Sequence, residues 1–222
     1  IRGVLAHLGH ADEPYLGLYG AFGYELTFQF DPVELKIPRD GTQRDLVLYL
    51  PDDILVVDHR RVMATRYRYD FVVDGASTVG LERSNPECPF VPAESVEREG
   101  DHEPGEYAAS VELARQYFAR GDLFEVVPGQ MFFEPCRCPP SELFERLKRR
   151  NPAPYGALIN LGESEYLVAA SPEMYVRSDG KRLETAPISG TIRRGGNAIE
   201  DADNILELLS SIKETSELTM CT

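Results

Sequence analysis

The chain has 222 residues, of which 42% are hydrophobic and 9% aromatic, and this composition predicts a globular core of ordinary size in one large or two small domains. Its formal net charge of -14 disfavours binding to nucleic acid or to an anionic membrane surface. Because no apolar run approaches the roughly 20 residues of a membrane span and no signal-like start is present, we expect a cytoplasmic protein.

The chain divides into three parts by changes in its residue pattern. Residues 1–74 are predicted to be β-rich, because the runs 46–50 and 54–57 consist of strand-forming residues. Residues 75–105 collect Pro, Glu, Ser and Asn without periodicity, which is typical of a linker or surface loop. Residues 106–222 contain both helical and strand patterns and carry the motifs discussed below.

The third part opens with two predicted helices. Apolar residues recur at helical spacing from Tyr107 to Phe118, and Gly121 follows, which predicts a helix that stops at this glycine. A second short helix is predicted to begin at Ser141 and to end at the two prolines of residues 151–155.

Strands follow these helices. Apolar runs at 155–161 and 166–170 predict two strands of an antiparallel sheet. Further along, Asp-Gly at 179–180 separates the runs 174–178 and 181–185, and this dipeptide suits a two-residue type I′ hairpin turn.

The register of that hairpin predicts a site. If Ser178 faces Lys181, Glu173 lies opposite Ala186 at the open end of the hairpin. There the chain leaves the sheet as the loop Pro-Ile-Ser-Gly-Thr at 187–191, so we expect a carboxyl group and a glycine-containing loop to converge.

Two more helices are predicted near the end of the chain. Asn197 followed by Glu200, and Ser211 followed by Glu214, have the spacing of helix-capping boxes. Glu214 and Glu217 lie three residues apart on one helical face, where their carboxylates can point together at a cation.

Five ordered blocks resemble the enzymes that use chorismate. They are Gly-Asp-Leu-Phe-Glu-Val-Val at 121–127, Asn-Pro-Ala-Pro-Tyr at 151–155, Ala-Ser-Pro-Glu at 170–173, Glu-Thr-Ala-Pro-Ile-Ser-Gly-Thr at 184–191 and Lys-Glu-Thr-Ser-Glu at 213–217. Within this family the chain is most similar to the large component of anthranilate synthase, in bacterial forms fused to a glutaminase domain. The resemblance implies an α+β fold with large antiparallel β-sheets flanked by helices.

The resemblance also implies roles for residues in the matching blocks. Glu217 and Glu214 match the positions that bind Mg²⁺, which prefers oxygen ligands. Gly190 and Thr191 match positions that contact the substrate chorismate, Thr191 also being a catalytic position, and Glu125 lies near a further substrate-binding position. Glu173 matches the general acid that protonates the departing ring hydroxyl.

The activity implied is the conversion of chorismate and ammonia to anthranilate and pyruvate, the first step of tryptophan biosynthesis. Ammonia is expected from glutamine hydrolysed by a glutaminase domain, fused downstream, because none of Cys88, Cys136, Cys138 and Cys221 has the context of a catalytic nucleophile. We expect these cysteines to be free thiols and the protein to be a homodimer. Since the chain starts without methionine and ends within a helix-like segment, it is expected to be a piece that is inactive by itself.

Related activities of the same family are alternatives. Ser189 stands where aminodeoxychorismate synthases carry a nucleophilic lysine, and Glu125 lies near the place where the isochorismate and salicylate synthases carry a lysine base, which favours direct amination over both. The phenazine-pathway 2-amino-2-deoxyisochorismate synthase, which retains the pyruvyl group, is not excluded.

A binding role without catalysis is a further alternative. Members of this family bind tryptophan near the block that contains Asn151, Pro154, Tyr155 and Gly156, so these residues are candidates for an inhibitor site or a tryptophan-sensing fragment.

Overall fold

The structure is a computed structural model that describes residues 1–10, 12–36, 39, 41–84 and 89–222. Contacts between Cα atoms divide the chain into two compact units. The first unit comprises Ile1–Pro89 with Ile159–Glu165, and the second comprises Phe90–Leu158 with Tyr166–Thr222. Both units contain helices and paired strands, so the chain is α+β.

The first unit is dominated by strands. Its elements are helix α1 (Arg2–Leu8), strand β1 (Tyr19–Phe22), a 3-10 helix (Tyr24–Gln29) and strands β2 (Leu46–Tyr49), β3 (Asp53–Asp58), β4 (Met63–Arg68), β5 (Val72–Val73) and β6 (Ala76–Ser77). Three antiparallel pairs form, β1 with β2, β3 with β4 and β5 with β6. The strands predicted at 46–50 and 54–57 are confirmed as β2 and β3.

The second unit carries the remaining elements. They are helices α2 (Glu106–Arg120) and α3 (Pro140–Arg150), strands β7 (Tyr155–Gly162), β8 (Glu165–Ser171), β9 (Met174–Ser178) and β10 (Leu183–Ala186), and helices α4 (Ala198–Ser210) and α5 (Ile212–Cys221), the adjoining ends of β7 and β8 belonging to the first unit. Strand β7 pairs with β8, and β9 pairs with β10.

The helix ends follow the local signals in the sequence. Gly121 adopts a left-handed conformation with φ 78°, and its N–H bonds to carbonyls of the last turn of α2, as a terminating glycine does. The Asn197 side chain accepts hydrogen bonds from two backbone N–H groups of the first turn of α4. The Ser211 hydroxyl accepts from the Glu214 N–H at 3.4 Å, so both predicted caps are confirmed.

The predicted hairpin exists, but its predicted register is wrong. Ser178 pairs with Leu183 rather than with Lys181, and Ala186 pairs with Met174 rather than with Glu173. The cause is the side chain of Asp179, which accepts hydrogen bonds from the backbone N–H groups of Lys181 and Arg182 at 2.9 and 2.8 Å and so closes a longer turn. A β-bulge before Ala186 then takes up part of the shift.

The expected globular core is not found in the described residues, because none of them is fully buried. Large apolar side chains stand in solvent, including Tyr175 at 89%, Phe124 at 85% and Ile212 at 82% exposure. The physical reason is the pairing: within the described chain each sheet has two strands, and a two-stranded ribbon without a covering layer leaves its apolar face open. Composition alone does not show which apolar side chains will be covered by another layer.

Two expectations from the sequence concern cysteines and membranes. Cys136, Cys138 and Cys221 are free thiols, as predicted, whereas Cys88 lies outside the described residues. Within the part of the chain that is described, no helix has both the length and the apolarity that a membrane span requires.

Candidate active site

The candidate site is centred on residues 187–191, which we call the glycine loop and which follow directly after β10. Glu173 immediately precedes β9, the partner of β10. Because the two strands run antiparallel, the start of β9 and the end of β10 meet at one edge. The backbone N–H of Ile188 donates a hydrogen bond of 3.1 Å to Oε1 of Glu173, so the predicted convergence of carboxyl group and loop is confirmed.

The other side of the glycine loop contacts the start of α5. The Ser189 hydroxyl donates a hydrogen bond of 3.0 Å to the backbone carbonyl of Glu214. Gly190 lies directly under the Glu214 side chain, since a Cβ built on Gly190 falls 2.7 Å from Cγ of Glu214 and closer still to its carboxyl atoms. A side chain at this position would therefore displace either the Glu214 carboxylate or the loop.

Glu214 and Glu217, here called the acidic pair, share one counter-ion. The Lys213 ammonium lies 3.2 Å from Oε1 of Glu214 and 3.3 Å from Oε1 of Glu217. The hydrogen bond to Glu214, followed by that to Glu217, raises the pKa of Lys213 above its ordinary value. The ammonium therefore keeps its positive charge while it stands between the two carboxylates.

The acidic pair has the chemistry of a divalent-cation site. Oε2 of Glu214 is buried and has no hydrogen-bond partner among the described residues, and a carboxylate oxygen left in that state is unfavourable unless a cation or donor reaches it. Mg²⁺ binds such oxygens and usually keeps several water ligands. No group of three or more metal-ligating side chains is found in the described ranges, and the acidic pair supplies two carboxylates beside the glycine loop.

The remaining predicted substrate residues are Thr191 and Glu125. Thr191 is exposed at the end of the glycine loop. Glu125 is exposed in the irregular segment that follows α2, and within the described part of the chain no hydrogen bond or ion pair joins it to Glu173, to the loop or to the acidic pair. The structure thus brings Glu173, Gly190 and Glu214 together and leaves Glu125 apart.

The predicted effector residues form the turn between α3 and β7. Asn151 ends α3, and its N–H bonds to the Leu147 carbonyl at 2.7 Å. Tyr155 begins β7 with its side chain 47% exposed. A Cβ at Gly156 would lie 3.4 Å from the ring of Phe144, so the glycine permits close packing of α3 on this strand.

The sequence pattern assigned no role to Lys213, which lies in this cluster. Its spacing of four residues from Glu217 was visible in the sequence and predicts an ion pair on a helix, whereas the spacing of one residue from Glu214 does not. Such pairs are common on solvated helix faces, however, and only the structure places this one beside the glycine loop.

Comparison with known proteins supports the resemblance to enzymes that use chorismate. Residues 3–222 match the family model described as chorismate binding enzyme. The chain is 52% identical over all its 222 residues to a protein of Azospirillum brasilense named "Anthranilate synthase", of which it covers 30%. It is 31% identical over 227 aligned positions, 92% of the chain, to "Anthranilate synthase component 1" of Streptomyces coelicolor, of which it covers 44%. The chain therefore spans between about a third and a half of these relatives.

The fold is also that of a solved structure. The crystal structure of anthranilate synthase component I from Streptococcus pneumoniae TIGR4 matches 96% of this chain and 50% of its own length, with a TM-score of 0.66 and 22% sequence identity. This likeness confirms the predicted α+β class and the predicted resemblance in fold. On the match of the family model to residues 3–222, the chain belongs to the family of chorismate binding enzymes.

Proposed function

We propose that the full-length protein is an anthranilate synthase that converts chorismate and ammonia to anthranilate and pyruvate in tryptophan biosynthesis. The observation that carries the proposal is the glycine loop, which meets the Glu173 carboxylate on one side and Glu214 on the other. Amination of a ring carbon next to a carboxylate needs three groups. They are an acid, an open stretch of backbone and a pair of carboxylates, and all three lie beside this loop. The names of the similar proteins support the same conclusion.

Glu173 is assigned the role of general acid. Ammonia adds to the ring carbon next to the carboxyl-bearing carbon, and the ring hydroxyl departs as water when Glu173 protonates it. The hydrogen bond from Ile188 to Oε1 fixes the carboxyl group and leaves its other oxygen open to the substrate. The enolpyruvyl group is then lost as pyruvate, and the ring becomes aromatic.

Gly190, Thr191 and the acidic pair are assigned to substrate binding. Without a side chain at Gly190 the planar ring can approach the loop backbone, and Thr191 offers an exposed hydroxyl beside it. Glu214 and Glu217 would hold Mg²⁺, which when bound withdraws electron density through the ring carboxylate. Glu125 is retained as a more distant substrate contact.

The source of ammonia, the oligomeric state and the cellular location are part of the same proposal. Ammonia would be supplied by a glutaminase domain, either on the same polypeptide or as a partner. A cytoplasmic location is likewise proposed, since chorismate is a soluble metabolite. A homodimer is proposed as well.

Tryptophan is proposed as an inhibitor. The turn that contains Asn151, Pro154 and Tyr155 is exposed, and the ring of Phe144 packs beside Gly156. Aromatic and amide side chains around a small residue suit an indole ring and an amino-acid backbone. A purely tryptophan-sensing role would be indicated by tight tryptophan binding without turnover of chorismate.

The test is an assay of the full-length protein with chorismate, magnesium and ammonium. Anthranilate is followed by its fluorescence and pyruvate by a coupled dehydrogenase. Both products should appear in equal amounts, and Glu217→Gln should lower the rate by orders of magnitude. Glu207→Gln, which removes the same charge from an exposed position of α4, serves as the control and should leave the rate unchanged.

Two other outcomes would replace this proposal. Consumption of chorismate without fluorescence or pyruvate would indicate the phenazine-pathway reaction, in which 2-amino-2-deoxyisochorismate is released. Unchanged chorismate in the presence of a folded protein would rule out the enzyme proposal.

A further inference from the structure

The position of Lys213 is unfavourable for the helix that carries it. Lys213 is the second residue of α5, where the positive end of the helix dipole disfavours a cation. It also precedes Glu217 by four residues, the less stabilising order of such a pair. The residue is 73% exposed, so it contributes little to packing. The helix dipole and the order of the charges therefore do not favour a lysine here, and its ion pairs with the two glutamates are what stabilise its position.

The contacts of Lys213 point instead to the acidic pair. Its single ammonium lies within 3.3 Å of one oxygen from each carboxylate, and the Glu214 side chain is 21% exposed. Two carboxylates on neighbouring helical positions repel each other when no cation stands between them. The ammonium thus occupies the position in which an ion held by both carboxylates has its strongest attraction.

We propose that Lys213 is a resident counter-ion that a divalent cation must displace in order to bind Glu214 and Glu217. It is a positioning residue that sets the metal affinity of the site. The inference rests on the proposed metal role of the acidic pair. Because the lysine is largely solvated, its ammonium can move into water at small cost once the cation arrives.

Displacement of Lys213 predicts the direction in which its removal changes the affinity for a divalent cation. Removing the ammonium removes both a competitor and a repelling charge, so the divalent cation should bind more tightly to Lys213→Met than to the native protein. The cation no longer has to break two exposed ion pairs of ordinary strength in Lys213→Met. Its affinity for this variant should therefore be on the order of threefold to tenfold higher than for the native protein. If Lys213 merely held the glutamates in place, its loss would weaken cation binding instead.

The experiment is a titration of the full-length protein with Mn²⁺, followed by electron paramagnetic resonance of the free ion in the absence of chorismate. Lys213→Met is expected to bind more tightly, and Lys213→Arg, which keeps the positive charge, should stay close to the native affinity. Lys148→Met removes the same charge from the end of α3 and should also leave the affinity unchanged.

The outcomes separate this inference from the proposed function. Unchanged or weaker Mn²⁺ binding in Lys213→Met, with a native site that Glu217→Gln abolishes, would overturn the role of Lys213 alone. A native protein without any Mn²⁺ site that depends on Glu217 would overturn the metal role on which the inference rests. Tighter binding in Lys213→Met but not in Lys213→Arg or Lys148→Met would support the inference.

Discussion

The hydroxyl of Ser189 donates a hydrogen bond of 3.0 Å to the backbone carbonyl of Glu214. This bond joins the glycine loop to the first turn of α5, two segments that lie 25 residues apart in sequence. The loop is held at its other side by the bond between Ile188 and Glu173. The two bonds together fix the distance between the proposed acid and the acidic pair, so changes in the loop should alter catalysis and stability together.

Replacing Ser189 by alanine tests the tether between loop and helix. The change removes a partly buried hydrogen bond, and we expect a loss of about 1 kcal/mol in stability and a several-fold lower rate of anthranilate formation. Thermal unfolding and steady-state kinetics of the full-length protein measure the two effects. Ser210→Ala is the control, because the Ser210 hydroxyl bonds only to carbonyls of its own helix. An equal effect in both variants would contradict the special role of Ser189.

Gly190→Ala tests the close approach of the loop to Glu214. The added methyl group would overlap the Glu214 carboxylate, so either the loop or the glutamate has to move. A displacement of this size near reacting groups costs on the order of a hundredfold in rate. Gly129→Ala is a matched control, since nothing lies within 4 Å of a Cβ at that position. Native activity in Gly190→Ala would mean that the loop tolerates the displacement.

Features set by local hydrogen bonds were predictable from the sequence. The caps at Gly121, Asn197 and Ser211 each depend on groups only a few residues away, and a single residue type suffices to identify them. The convergence of Glu173 with the glycine loop was also predictable, because strand pairing brings the two ends of a hairpin together whatever the details of its turn.

Features that depend on the position of one side chain were not predictable. The register of the β9–β10 hairpin is shifted because Asp179 accepts two backbone N–H groups, a bond that competes with the two-residue turn. The spacing of Lys213 and Glu217 indicates an ion pair, but the contact of one ammonium with both glutamates depends on side-chain rotamers. The exposure of Tyr175 and Ile212 follows from which layers cover each strand or helix, and residue pattern alone does not give that.

The Asp179 turn predicts a dependence of stability on pH. Hydrogen bonds from the backbone N–H groups of Arg182 and Lys181 lower the pKa of Asp179 below its ordinary value. The ionised Asp179 carboxylate should therefore stabilise the fold fully at pH values above the ordinary aspartate pKa of about 4. This stabilisation should be lost as the pH falls through the lower pKa that Asp179 has in the folded state. Asp179→Ala should thus be less stable than the native protein at pH 7, and the difference should shrink towards pH 3.

Thermal unfolding across this pH range measures the effect. Asp203→Ala, at an exposed position of α4, controls for the general loss of an aspartate. Asp179→Asn should lose less stability than Asp179→Ala, because the amide oxygen can still accept hydrogen bonds from the two N–H groups. A difference between Asp179→Ala and the native protein that stays constant from pH 7 to pH 3 would contradict the role given to the ionised carboxylate.

Two variants of Glu173 separate its catalytic role from its structural one. In Glu173→Gln the amide oxygen can still accept the hydrogen bond from the Ile188 N–H, so the loop should keep its position and the unfolding temperature should stay near the native value. The amide supplies no acidic proton at neutral pH, and the rate should fall on the order of a hundredfold to ten-thousandfold. Glu173→Ala should lose the same activity and also unfold at a lower temperature. If Glu173→Gln keeps activity within a few-fold of native while Glu173→Ala does not, Glu173 positions the loop and the proton must come from another group.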